Sequence, residues 1–355
     1  MEQFIITCNA GSSNIKLAKY NARTLEPREK LKVSTPDELL AWYKSQNDVI
    51  AVAHRVVHGG KDFTQPVIID ESVLTELKKL EVLAPLHQPL ALAIISSLKA
   101  FNPMITQVAC FDTSFHKQIP ELERLLPLPY NYFEEGICRY GFHGLSYDYI
   151  ASVLPSIAGK RAEGRVLVLH LGSGSSICGL FNLKSQAISM GFSALDGLMM
   201  GSRSGTIDPG ALLYFLKQKT MNVEQLEQLL YHKSGLKGVS NISHDVKVLE
   251  DNGSVEATRA LQLYCYSAAK HIGAIAVAIG GIECVVFTGG VGENSSSVRR
   301  EICSYLTWLG LVIDDKANTT HSEKISDDKS SIPVYIIPTD EEMIMVNNCA
   351  SLISL

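Results

Sequence analysis

Five side chains and three turns carry the chemistry open to this sequence. Arg55 closes an apolar run in His54-Arg55-Val56-Val57-His58-Gly59-Gly60, and Arg203 lies in the glycine-flanked Met199-Met200-Gly201-Ser202-Arg203-Ser204-Gly205. A guanidinium fork can hold a carboxylate or a phosphate by two parallel bonds, although either arginine could also be a surface residue in a salt bridge. Asp112 directly follows the apolar run Gln107–Phe111. An acid at the C-terminal end of a buried strand faces the crevice where α/β sheets bind ligands; it could also cap whatever follows. His143 sits in Arg139-Tyr140-Gly141-Phe142-His143-Gly144, between glycines rather than on an apolar face. Glu341, in Pro338-Thr339-Asp340-Glu341-Glu342, is either an acid in the first turn of a helix or a group that holds Mg²⁺ through water.

The three turns are Asn9–Ser13, Gly172–Ser176 and Gly289–Asn294, each after an apolar run. Glycine lets backbone N–H groups approach phosphate oxygens closely, and serine and asparagine add donors. Any one of them could be only a tight turn, but three in one chain point to phosphate. None has the Walker spacing or the dinucleotide fingerprint.

Positioning these residues requires strands and helices around them. Phe4–Cys8 and Ile15–Tyr20 read as strands on either side of the first turn. Thr35-Pro36-Asp37-Glu38 is a helix start, with an N-cap threonine and proline at N1. Ile50–Val57 and Gln107–Phe111 read as buried strands; Ile69–Leu83 and Leu90–Ala100 read as helices. Arg165–Leu171 is a strand that ends at the second turn and is followed by another. Ser254–Ile279 reads as a long helix, Cys284–Thr288 as a strand into the third turn, Ser296–Leu309 as a helix and Val334–Ile337 as a strand, with a last helix after Thr339-Asp340-Glu341. Ile5–Ser13 and Val168–Ser176 repeat one strand–turn–strand unit, which suggests a duplicated α/β domain.

The 355 residues fit two domains, and 46% hydrophobic residues supply a large core. A net charge of −5, with no basic stripe, argues against a nucleic-acid partner. The eight cysteines show no C-x-x-C pair or zinc spacing and read as reduced core thiols of a cytoplasmic protein. The start of the chain lacks a basic region and reads as no signal peptide. The longest apolar stretch, Ile272–Phe287, falls short of the ~20 residues a membrane span needs. No linker rich in Pro, Gly or Ser separates the halves, so a hinge and a cleft are expected.

Together these motifs resemble the acetate kinase family, within the superfamily of acetate and sugar kinases, heat-shock chaperone ATPases and actin. The resemblance rests on Asn-Ala-Gly-Ser-Ser at 9–13, His-Arg-Val-Val-His-Gly-Gly at 54–60, Ala-Pro-Leu-His at 84–87 and Phe-Asp-Thr-Ser-Phe-His at 111–116. It continues through Arg-Tyr-Gly-Phe-His-Gly at 139–144, Ser-Met-Gly-Phe at 189–192, Gly-Leu-Met-Met-Gly-Ser-Arg-Ser-Gly at 197–205, Phe-Thr-Gly-Gly-Val-Gly-Glu-Asn at 287–294 and Pro-Thr-Asp-Glu-Glu at 338–342.

The resemblance implies an α/β fold of two duplicated actin-like (ribonuclease H-like) βββαβαβα domains flanking a cleft. Residues 1–114 and 343–355 would form the first domain and 115–342 the second, with the nucleotide site and a homodimer interface. It implies Mg²⁺-dependent (or Mn²⁺-dependent) transfer of the ATP γ-phosphate to acetate, giving acetyl phosphate and ADP; charge and apolar-run length already argue against a nucleic-acid or membrane partner. By the same resemblance Arg55, Asp112, His143 and Arg203 are catalytic, and Arg55, Val57, Leu86, Phe142 and Ala194 bind the acid. Ser12, Lys16, His170, Gly172, Ser173, Gly174, Asp245, Lys247, Gly290, Gly292 and Asn294 bind the nucleotide or its phosphates; Asn9 and Glu341 belong to the metal region. His87 matches a further active-site histidine. Propionate or another short-chain carboxylate as substrate, pyrophosphate in place of ATP, and a weakly catalytic regulatory relative are the alternatives.

The chain departs from the family pattern in several places, Asn14, Cys138 and Tyr147 among them. It is shorter between Tyr20 and His54. Ser173 replaces an asparagine, Lys247 an arginine, and Ala194 a proline that walls the acyl pocket. The smaller Ala194 predicts room for one more methylene, worth about 1 kcal/mol in such a pocket.

Overall fold

The computed structural model describes residues 2–11, 14–85, 87–218 and 220–354. Among the described residues eleven strands form two sheets: β1 Phe4–Ala10, β2 Ile15–Asn21, β3 Pro27–Val33, β4 Val49–Val56, β5 Val67–Ile68 and β6 Thr106–Phe111 in the first, and β7 Val166–Leu171, β8 Ser175–Phe181, β9 Lys184–Ile188, β10 Cys284–Thr288 and β11 Val334–Ile336 in the second. The chain divides into two compact units. The first comprises Met1–Lys117, Phe142–Tyr149 and Asp340–Leu355, and the second Gln118–Gly141 and Ile150–Thr339. The sequence places these boundaries at 114/115 and 342/343, with 142–149 in the second domain.

In the first unit the strand order is β3-β2-β1-β4-β6-β5. β1–β2 and β2–β3 are antiparallel, β1–β4 and β4–β6 parallel. In the second the order is β11-β10-β7-β8-β9, with β7–β8 and β8–β9 antiparallel and β7–β10 and β10–β11 parallel. Three meandering strands followed by two parallel ones therefore occur twice, in the same spatial order. The repeat legible at Ile5–Ser13 and Val168–Ser176 is a repeat of the sheet. The architecture is the duplicated α/β fold expected.

Strand alternation explains how each face is covered. In the first unit Ile5, Ala18, Tyr20, Ala51, Ala53, Val108 and Cys110 pack against Ile344, Met345, Val346 and Cys349 of the C-terminal helix Glu341–Leu352. The opposite face, with Ile6, Cys8, Leu17 and Val52, meets Leu39 and Tyr43 of the helix Pro36–Lys44 and Ile94 and Leu98 of the helix Gln88–Phe101. In the second unit Leu167, Leu169, Val285 and Phe287 share a core with Ala260, Tyr264, Ala268 and Ile272 of the helix Val255–Ala278. The helix caps follow the sequence signals. Thr35 accepts the Glu38 N–H, and Ser254 accepts that of Ala257, each satisfying a donor the helix leaves open.

Three elements differ from the reading. Ile69–Leu83 is an α-helix only over Glu71–Lys79 and tightens to a 3₁₀ turn at Leu80–Leu83. The stretch 296–309 ends its α-helix at Ser304. Gly289–Asn294 is a short helix, not an open turn. Glu293 makes it one by accepting the Gly289 N–H at 2.8 Å, which closes the segment on itself. All eight cysteines are buried and unpaired, as core thiols should be. Among the described residues no helix is long and apolar enough to cross a membrane.

Candidate active site

The parallel strands of the first unit end together, and their ends carry the polar residues. Asn9 lies next to last in β1, opposite Lys16 of β2. Cys8 pairs with His54 of β4, so Arg55 stands beside Asn9. Asp112 is the first residue beyond β6. The row is at the carboxyl ends of the strands, where α/β sheets place ligands. The first turn of the C-terminal helix brings Glu341 and Glu342 to the same row.

The side chains form one hydrogen-bonded chain. Arg55 holds Asp112 through both nitrogens of its fork, Nε to Oδ1 at 2.9 Å and Nη2 to Oδ2 at 2.6 Å. Its Nη1 donates to Asn9 Oδ1 at 3.2 Å. The Asn9 amide then donates to Glu341 Oε2 at 2.8 Å and to Glu342 Oε1 at 3.0 Å. Asp112 is 1% exposed and Glu341 8%, so the network sits where charge is strong. Burial works against the Arg55 charge, but Asp112, Glu341 and Glu342 outweigh it and raise the guanidinium above its ordinary value. Burial raises the Asp112 carboxyl, Arg55 pulls it back, and Glu341 adds to the rise.

Three carboxyl groups face one guanidinium here, and the oxygen-rich donor set suits a hard cation. Mg²⁺ keeps several waters and takes one or two carboxylates together with substrate phosphates, a role the Glu341 and Glu342 carboxylates fit.

His143 meets this network through its backbone, whose N–H bonds the Asp112 carboxylate. It adopts φ +60°, a left-handed conformation uncommon outside glycine. Gly144 follows, donating its N–H to the Asp112 carbonyl at 2.9 Å; a Cβ here would collide with that oxygen. Val57 and Phe142 are buried, with Phe142 edge-on to His58 at 5.6 Å between centroids. Ser12 and Leu86 lie outside the described residues.

In the second unit His170 is next to last in β7, as Asn9 is in β1. Gly172, Ser173 and Gly174 turn between β7 and β8, closed by the Gly172 N–H on the Gly174 carbonyl at 3.0 Å. A Cβ on Gly172 would stand 3.9 Å from His170 Nε2 and 4.0 Å from the Gly290 nitrogen, so the turn and the start of the 289–294 helix are neighbours. Gly292 is buried in that helix, and the Asn294 amide donates to the Gly290 carbonyl. Ser173 accepts the Gly201 N–H at 3.4 Å. Arg203 is buried and donates from Nη1 to the Ala194 carbonyl at 2.9 Å. Asp245 caps the helix Val246–Asn252 by accepting the Val248 N–H, and Lys247 pairs with Asp251 one turn on.

Sequence reading singled out neither Glu342 nor Glu293. Glu342 was visible as the second of two adjacent acids, but first-turn acids are ordinary helix starts. Glu293 accepts both the Gly289 and Thr339 N–H groups. Arg139 donates to the carbonyls of Ile188, Ser189 and Met190 and fixes the loop after β9.

A duplicated three-plus-two sheet, with arginine, asparagine and acids gathered at the strand ends of the first unit, places the chain in the actin-like duplicated α/β class. Within it, the chain matches the acetokinase family model over residues 29–347. It is 41% identical to the acetate kinase of Rhodopseudomonas palustris (strain TIE-1), over 98% of each chain. It superposes on the crystal structure of Porphyromonas gingivalis acetate kinase with TM-score 0.87 and 31% identity, covering 99% of this chain and 100% of that one. On a propionate kinase from Francisella tularensis the values are 0.89 and 30%, with 98% of each chain covered. The chain belongs to the acetokinase family and is a kinase.

Proposed function

We propose that the chain catalyses reversible phosphoryl transfer between ATP and acetate, forming acetyl phosphate and ADP. The observation that carries this reading is the Arg55–Asp112 fork joined through Asn9 to Glu341 and Glu342. A carboxylate substrate is already a nucleophile and needs no strong base. The difficulty is to bring one anion to another and to stabilise charge on the oxygens in flight, which is work for arginines, a hydrogen-bond donor and a cation.

Arg55 presents a cation whose direction Asp112 fixes. Asp112 therefore acts as a positioning residue, and a guanidinium already bonded on both edges resists proton transfer. His143 is assigned to the transition state and Arg203 to the phosphoryl oxygens, as the family resemblance implies. Asn9 with Glu341 and Glu342 would hold Mg²⁺. When bound, that ion neutralises phosphate charge and orients the polyphosphate. The turn Gly172–Gly174 and the 289–294 helix are assigned to the nucleotide. Val57, Phe142 and Ala194 are assigned to the acyl group.

Ala194 favours propionate as a second substrate, and the superposition on a propionate kinase supports that reading. A homodimer is supported by the helix Pro209–Lys217. Its Leu213 and Tyr214 are 53% and 61% exposed, and none of its residues is buried. Such a face on a second copy would bury what water now covers. Eight buried free thiols support a reducing compartment, the cytoplasm.

The test is acyl-phosphate formation from Mg-ATP, trapped with hydroxylamine, across formate to butyrate. A rate peaking at acetate or propionate supports the reading. No product with any acid overturns it.

A further inference from the structure

The row of polar residues does not stop at Asn9. Lys16 stands directly opposite Asn9 on β2, and Lys32 directly opposite Lys16 on β3. Directly paired residues share a face, so Lys32, Lys16, Asn9 and Arg55 form one line across four strands. Like charges directly opposite one another weaken an antiparallel pair. Among the described residues neither Lys16 nor Lys32 has a carboxylate at ion-pair distance. Lys30, two residues before Lys32, differs by bonding Asp340 at 2.9 Å.

The same surface is concave. A cavity of about 270 Å³ is lined by Lys16, Leu17, Ala18, Lys30, Leu31, Lys32 and Glu342. Lys30 is neutralised by Asp340, and the Glu342 Oε1 is engaged by the Asn9 amide. The walls are largely apolar, with two ammonium groups without a carboxylate partner against one engaged carboxylate, so the net charge of the lining side chains is positive. A repulsive pair at the rim of a cavity, continuous with a row of anion-handling groups, is an inconsistency that a bound anion would resolve.

We propose that Lys32 joins Lys16, which the family resemblance already assigns to phosphate, in a clamp on the β2–β3 hairpin for a phosphate or diphosphate anion, extending the phosphate-binding surface one strand further. Each lysine is a point charge with three donors on a long stem, suited to a mobile phosphate tail. The ligand is the tail of the nucleotide, the acyl phosphate, or the free anion. Assigning it to a substrate rests on the function proposed above. The clamp itself is tested without turnover.

The experiment is thermal unfolding of the full chain and of Lys32→Gln, Lys16→Gln and Lys32→Arg, with and without inorganic pyrophosphate, chloride holding ionic strength constant. A ligand that binds only the folded state raises Tm. Without anion, Lys32→Gln should unfold at or above the parent temperature, because a repulsion has been removed. With pyrophosphate the parent should gain, Lys32→Arg should keep most of the gain, and both Gln variants should bind at least about tenfold more weakly, a loss of about 1.4 kcal/mol. An equal gain in the parent and Lys32→Gln would overturn the clamp whatever Lys16→Gln does, as would no gain in the parent. A lower Tm for Lys32→Gln without anion would overturn it too, by making Lys32 structural. In parallel kinetics, a raised KM for the nucleotide or for acetyl phosphate identifies which tail is held. A pyrophosphate loss with neither KM moved assigns the clamp to the free anion. A parent that responds to pyrophosphate but forms no acyl phosphate would sink the functional reading and leave the clamp standing.

Discussion

Arg55 and Asp112 are joined by two parallel hydrogen bonds, of 2.9 and 2.6 Å, at the ends of neighbouring parallel strands. One strand end supplies the cation and the next supplies the group that aims it. The third nitrogen of the fork reaches Asn9 on the other side. The guanidinium is thus fixed on two edges before any ligand arrives, which is what electrostatic preorganisation requires.

Asp112→Asn removes the charge and keeps the shape. It should lower kcat by ~10²–10³, the usual cost of one misplaced charged contact. It should also cost about 2–4 kcal/mol in stability, because Arg55 loses its partner in a largely buried setting. Steady-state kinetics and urea unfolding check both. A kcat within threefold of the parent would show that Asp112 does not aim Arg55.

His143→Ala should depress kcat far more than KM if the ring serves the transition state. Because the backbone bond to Asp112 survives the substitution, the first-unit network should persist. A raised KM at constant kcat would instead place the ring in ground-state binding.

Gly144→Ala puts a methyl group onto the Asp112 carbonyl. The turn must move, and Asp112 with it. The expected result is about 2 kcal/mol or more of destabilisation, read as a lower Tm, together with lost activity. Unchanged Tm would show that the turn yields without strain.

Acid should unfold the protein early, through buried imidazoles beside the site rather than through its carboxylates. His54, His58 and His116 are buried, and burial lowers each to about 4, partly offset at His54 by Gln107 and at His116 by the Phe142 carbonyl. Their unfolded value is near 6.5. Between those values the unfolded chain binds more protons, so stability rises with pH. It should be complete above about pH 6.5 and fall steadily as pH drops towards 4. The urea midpoint followed across that window measures it, and a flat profile would contradict neutral buried imidazoles.

The sequence showed most strands because buried parallel strands read as apolar runs: β4, β6, β7 and β10 all fall where those runs fall. β3 was invisible. Pro27–Val33 is an edge strand of alternating charges with no buried residue, and its partner β2 alone reveals it. The site showed unevenly. Arg55, Asp112 and His143 stood out through their company of glycines and strand ends. Glu342 did not, because what marks it is a bond to Asn9, 333 residues earlier in the chain. The helix at Gly289–Asn294 was hidden for a similar reason, since glycines there suggest a loop and only the Glu293 side chain closes the turn.

The most direct measurement is ATP formation from acetyl phosphate and Mg-ADP by the parent and by Arg55→Gln. The account predicts ready ATP formation by the parent and a rate lower by ~10²–10³ in the variant, with the fold intact by circular dichroism. No ATP from the parent, or equal rates from the two proteins, would contradict it.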